Sequence, residues 1–128
     1  MKALLVSPDA ESLLAMRMVV AGLERRLDTN VEFLEANDGE RGAAIADREW
    51  PDVVVADEIA SRAGAFALAK DLRDRQEPFP GVIVVLLERR HDAWLAKWSG
   101  ADAWFVKPAD PFAITDRIVE LVREKERV

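Results

Sequence analysis

Short apolar runs alternate with amphipathic segments five times along the chain. Three of the runs are almost continuous Val, Ile and Leu, which is typical of strands covered by helices on both faces. The predicted strands cover residues 3–6, 31–34, 53–56, 82–87 and 103–106. The predicted helices cover residues 10–27, 40–49, 63–75, 92–99 and 111–126. This order predicts an α/β fold, a doubly wound five-stranded parallel sheet with five helices.

Residues suited to helix ends lie between these segments. Asp110-Pro111 joins an N-cap acceptor to a proline at the first helical position, and Asp38-Gly39 marks the start of the second helix. Ser7-Pro8-Asp9 is interpreted as the start of the first helix, with the serine hydroxyl as the cap and the acid favourable to the helix dipole. Trp50-Pro51 predicts the end of the second helix.

Length, charge and the lack of cysteine limit the classes of function. A chain of 128 residues predicts one domain that spans residues 1–128. Because the chain has no Cys, thiolate catalysis, zinc-thiolate sites and disulfide frameworks are excluded. The net charge of −6 argues against direct binding to nucleic acid or to an anionic membrane, and the longest apolar run, 82–87, is too short to span one. We therefore expect a cytoplasmic domain.

Candidate chemistry is sought at the carboxyl ends of the strands, where doubly wound sheets bind their ligands. No glycine-rich phosphate loop follows the first strand, and Ser7 lacks the glycine elbow of hydrolases. His91 has no second histidine or thiol with which to share a metal. The candidates that remain are the acids Asp57 and Asp9 and the base Lys107, and we expect no enzyme activity.

Four segments in a fixed order carry a resemblance to a known family. They are residues 35–40 after the second strand, Asp57 after the third, Gly100-Ala101-Asp102 before the fifth, and Lys107-Pro108 after it. Together they resemble the receiver domain of bacterial response regulators (CheY-like), over the chain from Lys2 to about Val122. The resemblance implies the strand order 2-1-3-4-5 and a cis peptide bond between Lys107 and Pro108. It also implies transfer of a phosphoryl group from a kinase histidine or a small phosphodonor.

The resemblance gives a role to each matching residue. Asp57 is the candidate phosphoacceptor, and Lys107 is the lysine that contacts the phosphoryl group. Leu86 occupies the switch position where the family has Thr or Ser. Trp104 occupies the position of the family's switch aromatic.

The acids that bind Mg²⁺ in the family are missing. Ser7 and Pro8 occupy the positions of the acid pair, and neither has a carboxylate. Asp9 comes one residue later, so Asp9 and Asp57 are the metal ligands that remain, and we expect weak Mg²⁺ binding or none. Residues 58–64 are also one residue shorter than the corresponding loop of the family. We interpret the chain as a degenerate receiver, or pseudo-receiver, in which aspartyl phosphorylation is impaired or absent.

Tryptophans are concentrated on the side where receivers contact their partners. Trp94 and Trp98 lie four residues apart in the fourth predicted helix, and we expect one of them to be partly exposed. Trp104 lies in the fifth strand, and exposed tryptophan is enriched in interfaces. We therefore predict a stand-alone signalling module that binds a histidine kinase, an output protein or a second copy of itself. The resemblance implies contact through the fourth helix, fifth strand and fifth helix.

Three other interpretations stay open. In the first, Asp57 and Lys107 form a structural ion pair without signalling chemistry. In the second, Asp9 reaches the site and a histidine kinase phosphorylates Asp57. In the third, the chain is a flavodoxin-like domain that binds a small ligand in a pocket near Asp57, Arg89 and Arg90.

Overall fold

The fold is built from five repeats of a strand followed by a helix. A computed structural model describes residues 1–58 and 64–126. The strands are β1 (Lys2–Val6), β2 (Glu32–Ala36), β3 (Val53–Asp57), β4 (Val82–Leu87) and β5 (Ala103–Val106). The helices are α1 (Ala10–Leu27), α2 (Gly39–Glu49), α3 (Ala65–Arg73), α4 (Ala93–Ser99) and α5 (Pro111–Glu126). A 3₁₀ turn, Arg90–Asp92, leads directly into α4.

The strands form one parallel sheet in the order β2-β1-β3-β4-β5, which confirms the predicted fold and strand order. Because strand side chains alternate between faces, the sheet has two cores. The core on one face joins β1, β3 and β4 to α1 and α5. The core on the other face joins the same strands to α2, α3 and α4. The continuous apolar runs of the sequence therefore reflect burial on both faces.

Most element boundaries agree with the prediction, and the largest difference is in β2. The predicted strand 31–34 is shifted to Glu32–Ala36, because pairing with β1 sets Ala36 opposite Val6. The strand lies at the sheet edge, so exposed Glu residues interrupt its apolar pattern. The predicted third helix, 63–75, is Ala65–Arg73 within the described residues. The predicted shortening of the loop at 58–64 falls largely on residues 59–63, which lie outside the described residues.

Helix caps explain several of these boundaries. Asp38 accepts a hydrogen bond from the backbone N–H of Arg41 at 2.8 Å, which confirms it as the cap of α2. The prediction that the Ser7 hydroxyl caps α1 is wrong, because Asp9 is the N-cap residue and accepts from the N–H of Ser12. The helix starts two residues later than a Ser7 cap requires. The Lys107–Pro108 peptide bond is cis, as the resemblance implied.

Arg73 fixes the edge of the sheet that carries β4 and β5. Its guanidinium donates to the carbonyl oxygens of Phe79 at 2.6 Å, Gly81 at 3.1 Å and Gly100 at 2.9 Å. It also forms an ion pair with Asp102 at 2.6 Å. The side chain thus provides hydrogen bonds for a connecting segment that lacks regular structure.

Helices α1 and α5 approach each other closely at a glycine. A Cβ placed on Gly22 would lie 2.8 Å from Oγ1 and 2.9 Å from Cγ2 of Thr115. The contact therefore requires the absence of a side chain at position 22. None of the helices in the described part of the chain combines the length and the apolar character needed to cross a membrane.

Candidate functional site

The carboxyl ends of β3 and β5 bring Asp57 and Lys107 together. Asp57 is fully buried, and Nζ of Lys107 lies 2.8 Å from its Oδ1 and 3.0 Å from its Oδ2. Lys107 also forms an ion pair with Glu88, which directly follows β4. The ammonium group is therefore shared by two carboxylates from different strand ends.

The environment of Lys107 favours its charged form. Partial burial opposes protonation, but the hydrogen bonds to Asp57 and Glu88 outweigh burial and raise the pKa of Lys107 above its ordinary value. The lysine side chain is 20% exposed, so water reaches the ion pair from the rim. Lys107 stays protonated at physiological pH and neutralises charge at the buried end of β3.

Ser7 occupies the position of one acid of the family's acid pair, and its hydroxyl group contacts Asp57. Its Oγ donates to Oδ2 of Asp57 at 3.1 Å and accepts from the backbone N–H of Asp9 at 3.0 Å. Ser7 is fully buried, whereas Pro8 is exposed. The contact between Ser7 and Asp57 is a finding of the structure, since local sequence chemistry favoured a helix cap for Ser7.

Asp9 is engaged as a helix cap. Its Oδ2 accepts from the hydroxyl of Ser12 at 3.0 Å and from the backbone N–H of Ser12 at 3.2 Å. These hydrogen bonds, the hydroxyl first, hold the pKa of Asp9 below its ordinary value. These contacts are those of a helix cap, and they give Asp9 a structural role rather than that of a second metal ligand beside Asp57.

The donor set does not fit Mg²⁺. Magnesium is bound through carboxylates arranged around an octahedral ion. Asp57 is held by an ammonium and a hydroxyl, and Asp9 caps a helix. Across residues 1–58 and 64–126, no group of three or more His, Cys, Asp or Glu side chains is arranged to hold a metal ion.

Further carboxylates lie at the rim of the site, and their role was missed by sequence reasoning. The backbone N–H of Glu88 donates to Oε2 of Glu58. Burial, followed by a hydrogen bond with Asp92, raises the pKa of Glu58. Both glutamates directly follow strands, Glu58 after β3 and Glu88 after β4. That position was the available signal.

The two predicted switch positions lie on opposite faces of the sheet. Leu86 pairs with Asp57 in the register of β3 and β4 and is buried in the core beside α1 and α5. Trp104 packs against the core beside α2, α3 and α4. Its neighbour Phe105 packs on the opposite side, as strand alternation predicts. A role in switching stays a prediction for both positions.

Both tryptophans of α4 are exposed, where the sequence predicted one. Trp94 is 65% exposed and Trp98 is 56% exposed. Nζ of Lys70, on α3, lies 5.0 Å from the centre of the Trp98 ring, which is a cation–π distance. The helix buries Ala96 and Ser99 instead, so its small residues face the core and its large aromatics face solvent.

A groove of about 340 Å³ adjoins Lys107 on the side of α1 and α5. Leu86 and Ile114 contribute to its apolar walls, and Asp9 lies among its polar residues. Arg89 and Arg90, which the small-ligand interpretation placed beside the pocket, do not line this groove.

Curated relatives of this chain are response regulators. The chain is 31% identical over 108 residues to an uncharacterized response regulatory protein of Mycobacterium tuberculosis, a match that covers 82% of this chain and 80% of that protein. It is 28% identical over 125 residues to the alkaline phosphatase synthesis transcriptional regulatory protein PhoP of Bacillus subtilis. That match covers 98% of this chain and 50% of PhoP, so the chain spans about half the length of this relative. No family model matches the chain.

Solved structures show the same fold. A CheY-like receiver domain protein from Methanospirillum hungatei superposes with a TM-score of 0.80 at 17% identity, over 98% of this chain and 96% of that one. The response regulatory domain of mrkE from Klebsiella pneumoniae has a TM-score of 0.81 at 16% identity, over the full length of both chains. The sheet order, the Asp57–Lys107 pair and the similarity to the mycobacterial protein lead to one conclusion: the chain belongs to the two-component response regulator family, as a receiver domain.

Proposed function

We propose that this receiver domain signals by binding a protein partner and that Mg²⁺-dependent phosphorylation of Asp57 is impaired or absent. The observation that carries the proposal is the set of contacts around Asp57. Lys107 contacts both carboxylate oxygens, Ser7 donates to one of them, and the position next to Ser7 is a proline. The acids that would hold a metal beside the acceptor are absent from these two positions.

Phosphoryl transfer depends on positioning and on neutralisation of charge on the phosphoryl oxygens. Here the charge of Lys107 is already shared by Asp57 and Glu88, and Leu86 offers no hydroxyl to a phosphoryl oxygen. Each of these features raises the barrier to transfer. Together they favour a module whose acceptor aspartate is used as a structural anion.

The partner surface of the proposal is centred on α4. Receiver domains of this family interact with histidine kinases and output domains. In this chain the exposed side chains of Trp94 and Trp98 present a large aromatic area on α4, and Val106 and Phe112 are exposed on β5 and α5. Exposed apolar side chains in one region are typical of contact surfaces. A second copy of the chain is an alternative occupant, which sedimentation equilibrium would detect.

The first test is phosphorylation in solution. The chain is incubated with Mg²⁺ and acetyl phosphate, and intact mass is measured over time, with Asp57→Asn as the control. We expect no saturable adduct in the wild-type chain. An adduct that forms readily and is lost in Asp57→Asn would contradict the proposal and support phosphorylation of Asp57.

A gain-of-function variant sharpens this test. Ser7→Asp combined with Pro8→Asp restores both acids of the family's pair. We expect this variant to bind Mg²⁺ more tightly than the wild-type chain, measured by tryptophan fluorescence during a Mg²⁺ titration with beryllofluoride. Equal responses of variant and wild type would show that the acid pair is not what limits the site.

A further inference from the structure

Within the described residues, three cations at α4 and the turn before it have no acidic partner. Arg89, Arg90 and Lys97 are exposed, and none of them takes part in an ion pair in the described part of the chain. Other cations on the same side are paired, such as Lys70 with Asp74 at 3.1 Å. In a chain with a net charge of −6, a local group of such cations is unexpected.

These cations border the exposed tryptophans. The 3₁₀ turn runs directly into α4, so residues three and four apart lie side by side along the surface. Arg90, Trp94, Lys97 and Trp98 follow this spacing and form one stripe. Lys70 adds a further positive group beside the Trp98 ring. The stripe therefore combines an aromatic centre with a positive border. We call these four residues, together with Arg89, which directly precedes the turn, the α4 stripe.

We infer that the α4 stripe binds an acidic amphipathic segment of a protein partner, an inference that rests on the proposed function of this face in partner binding. Apolar side chains of the segment pack on Trp94 and Trp98, and its Asp and Glu side chains pair with Arg89, Arg90 and Lys97. Aromatic residues supply most of the affinity in such contacts, and charges around them select the partner and speed association.

The charges of the chain favour an acidic peptide over a nucleic acid. A nucleic acid that binds well commonly makes about six to ten phosphate contacts with Lys and Arg. The α4 stripe provides three cations, and the net charge of −6 repels a long polyanion at a distance. A short segment with a few carboxylates meets the three cations with much less of that repulsion, because it carries fewer negative charges.

A peptide selection tests the inference. Random peptides of about 16 residues, long enough for roughly four helical turns, are selected on the immobilised full chain. We expect the enriched peptides to be rich in Asp and Glu interleaved with apolar residues. The triple variant Arg89→Glu, Arg90→Glu, Lys97→Glu should weaken their binding about tenfold, because exposed ion pairs contribute little singly but act together.

A matched control separates local from overall charge. Arg25, Arg48 and Arg123 are exposed cations on α1, α2 and α5, and none takes part in an ion pair in the described part of the chain. Reversing these three to Glu changes the net charge by the same amount. We expect it to leave the binding of the selected peptides within about twofold of the wild-type chain, a difference of about 0.4 kcal/mol.

The outcomes distinguish this inference from the proposed function. Peptides that depend on Trp94 and Trp98 but show no acidic preference would overturn the acidic partner and leave the partner surface standing. Binding that survives Trp94→Ala and Trp98→Ala together would overturn both. A single-stranded RNA oligomer that binds more tightly than any selected peptide, and that loses binding in the triple variant, would overturn the choice of a protein partner.

Discussion

Replacing Lys107 with Met removes a cation that contacts a buried carboxylate. Asp57 is fully buried and both its oxygens lie within 3.0 Å of the lysine Nζ. Breaking a buried pair by removing one partner costs about 3–5 kcal/mol of unfolding free energy. The hydrogen bond from Ser7, which the variant keeps, and the access of water at the rim place the expected loss of unfolding free energy at the lower end, about 3 kcal/mol.

The loss should come from charge rather than from packing, and a double variant separates the two. Asp57→Asn removes the charge that Lys107 neutralises, and alone it should cost about 1.5–3 kcal/mol, the contribution of hydrogen bonds to charged groups. The combination Asp57→Asn, Lys107→Met should be more stable than Lys107→Met alone, since the buried carboxylate that Lys107 contacts is then replaced by a neutral amide. A coupling energy of roughly 2 kcal/mol is expected for residues in direct contact.

Urea unfolding, followed by far-ultraviolet circular dichroism, measures the unfolding free energy of the wild-type chain, the two single variants and the double variant. Equal dependence of the unfolding free energy on urea concentration confirms that the same transition is compared. If the loss of unfolding free energy in the double variant equals the sum of the losses in the two single variants within about 0.5 kcal/mol, the two side chains act independently. That result would refute the reasoning. A double variant that is less stable than Lys107→Met would refute it as well.

Three further predictions concern stability. Arg73→Ala should lower the unfolding free energy by about 2–4 kcal/mol, because several carbonyls and a half-buried carboxylate lose their donor. Urea unfolding should show that Arg73→Lys recovers little of this loss. Gly22→Ala should cost about 1–3 kcal/mol by forcing α1 from α5, and much less in a Thr115→Ala background, as thermal unfolding would show. The pKa of Glu58 in the folded chain is raised above 4.5, so protonated Glu58 favours the folded state. This contribution to the unfolding free energy is present below pH 4.5 and is lost as the pH rises through the folded-state pKa. Glu58→Gln should therefore stabilise the chain at neutral pH but not below pH 4.5, and a gain at both would contradict the assignment.

The fold could be predicted from the sequence because strands buried on both faces leave a pattern that needs no knowledge of their neighbours. β4 shows this best, since its predicted bounds and its observed bounds agree at Val82–Leu87. The observed β2 is shifted from its predicted bounds because residues such as Phe33 and Glu35 are exposed on an edge strand and blur the apolar pattern, and because its register depends on β1. Local pattern does not encode which backbone lies alongside.

The site was predicted in part. Asp57 and Lys107 were identified from the resemblance, and their contact follows from strand order. The contacts of Ser7 and Glu88 could not be read from the sequence, because tertiary packing alone brings each of them to a partner that lies far away in the chain. Ser7 and Asp57, for example, are separated by 50 positions. Local chemistry instead favoured a helix cap for Ser7.

The hydroxyl of Ser7 has one proton and donates it in a hydrogen bond to Asp57, while its oxygen accepts a hydrogen bond from the backbone N–H of Asp9. The first turn of α1 is thus tethered to the anion at the end of β3 through a single atom. An event that neutralises Asp57 would free this hydroxyl to rotate and would release the tether. Because α1 at Gly22 meets the side chain of Thr115 on α5 directly, a movement of α1 would be transmitted to α5 as a small displacement. In a receiver built in this way, neutralising the acid would loosen the start of the first helix without the involvement of an aromatic residue.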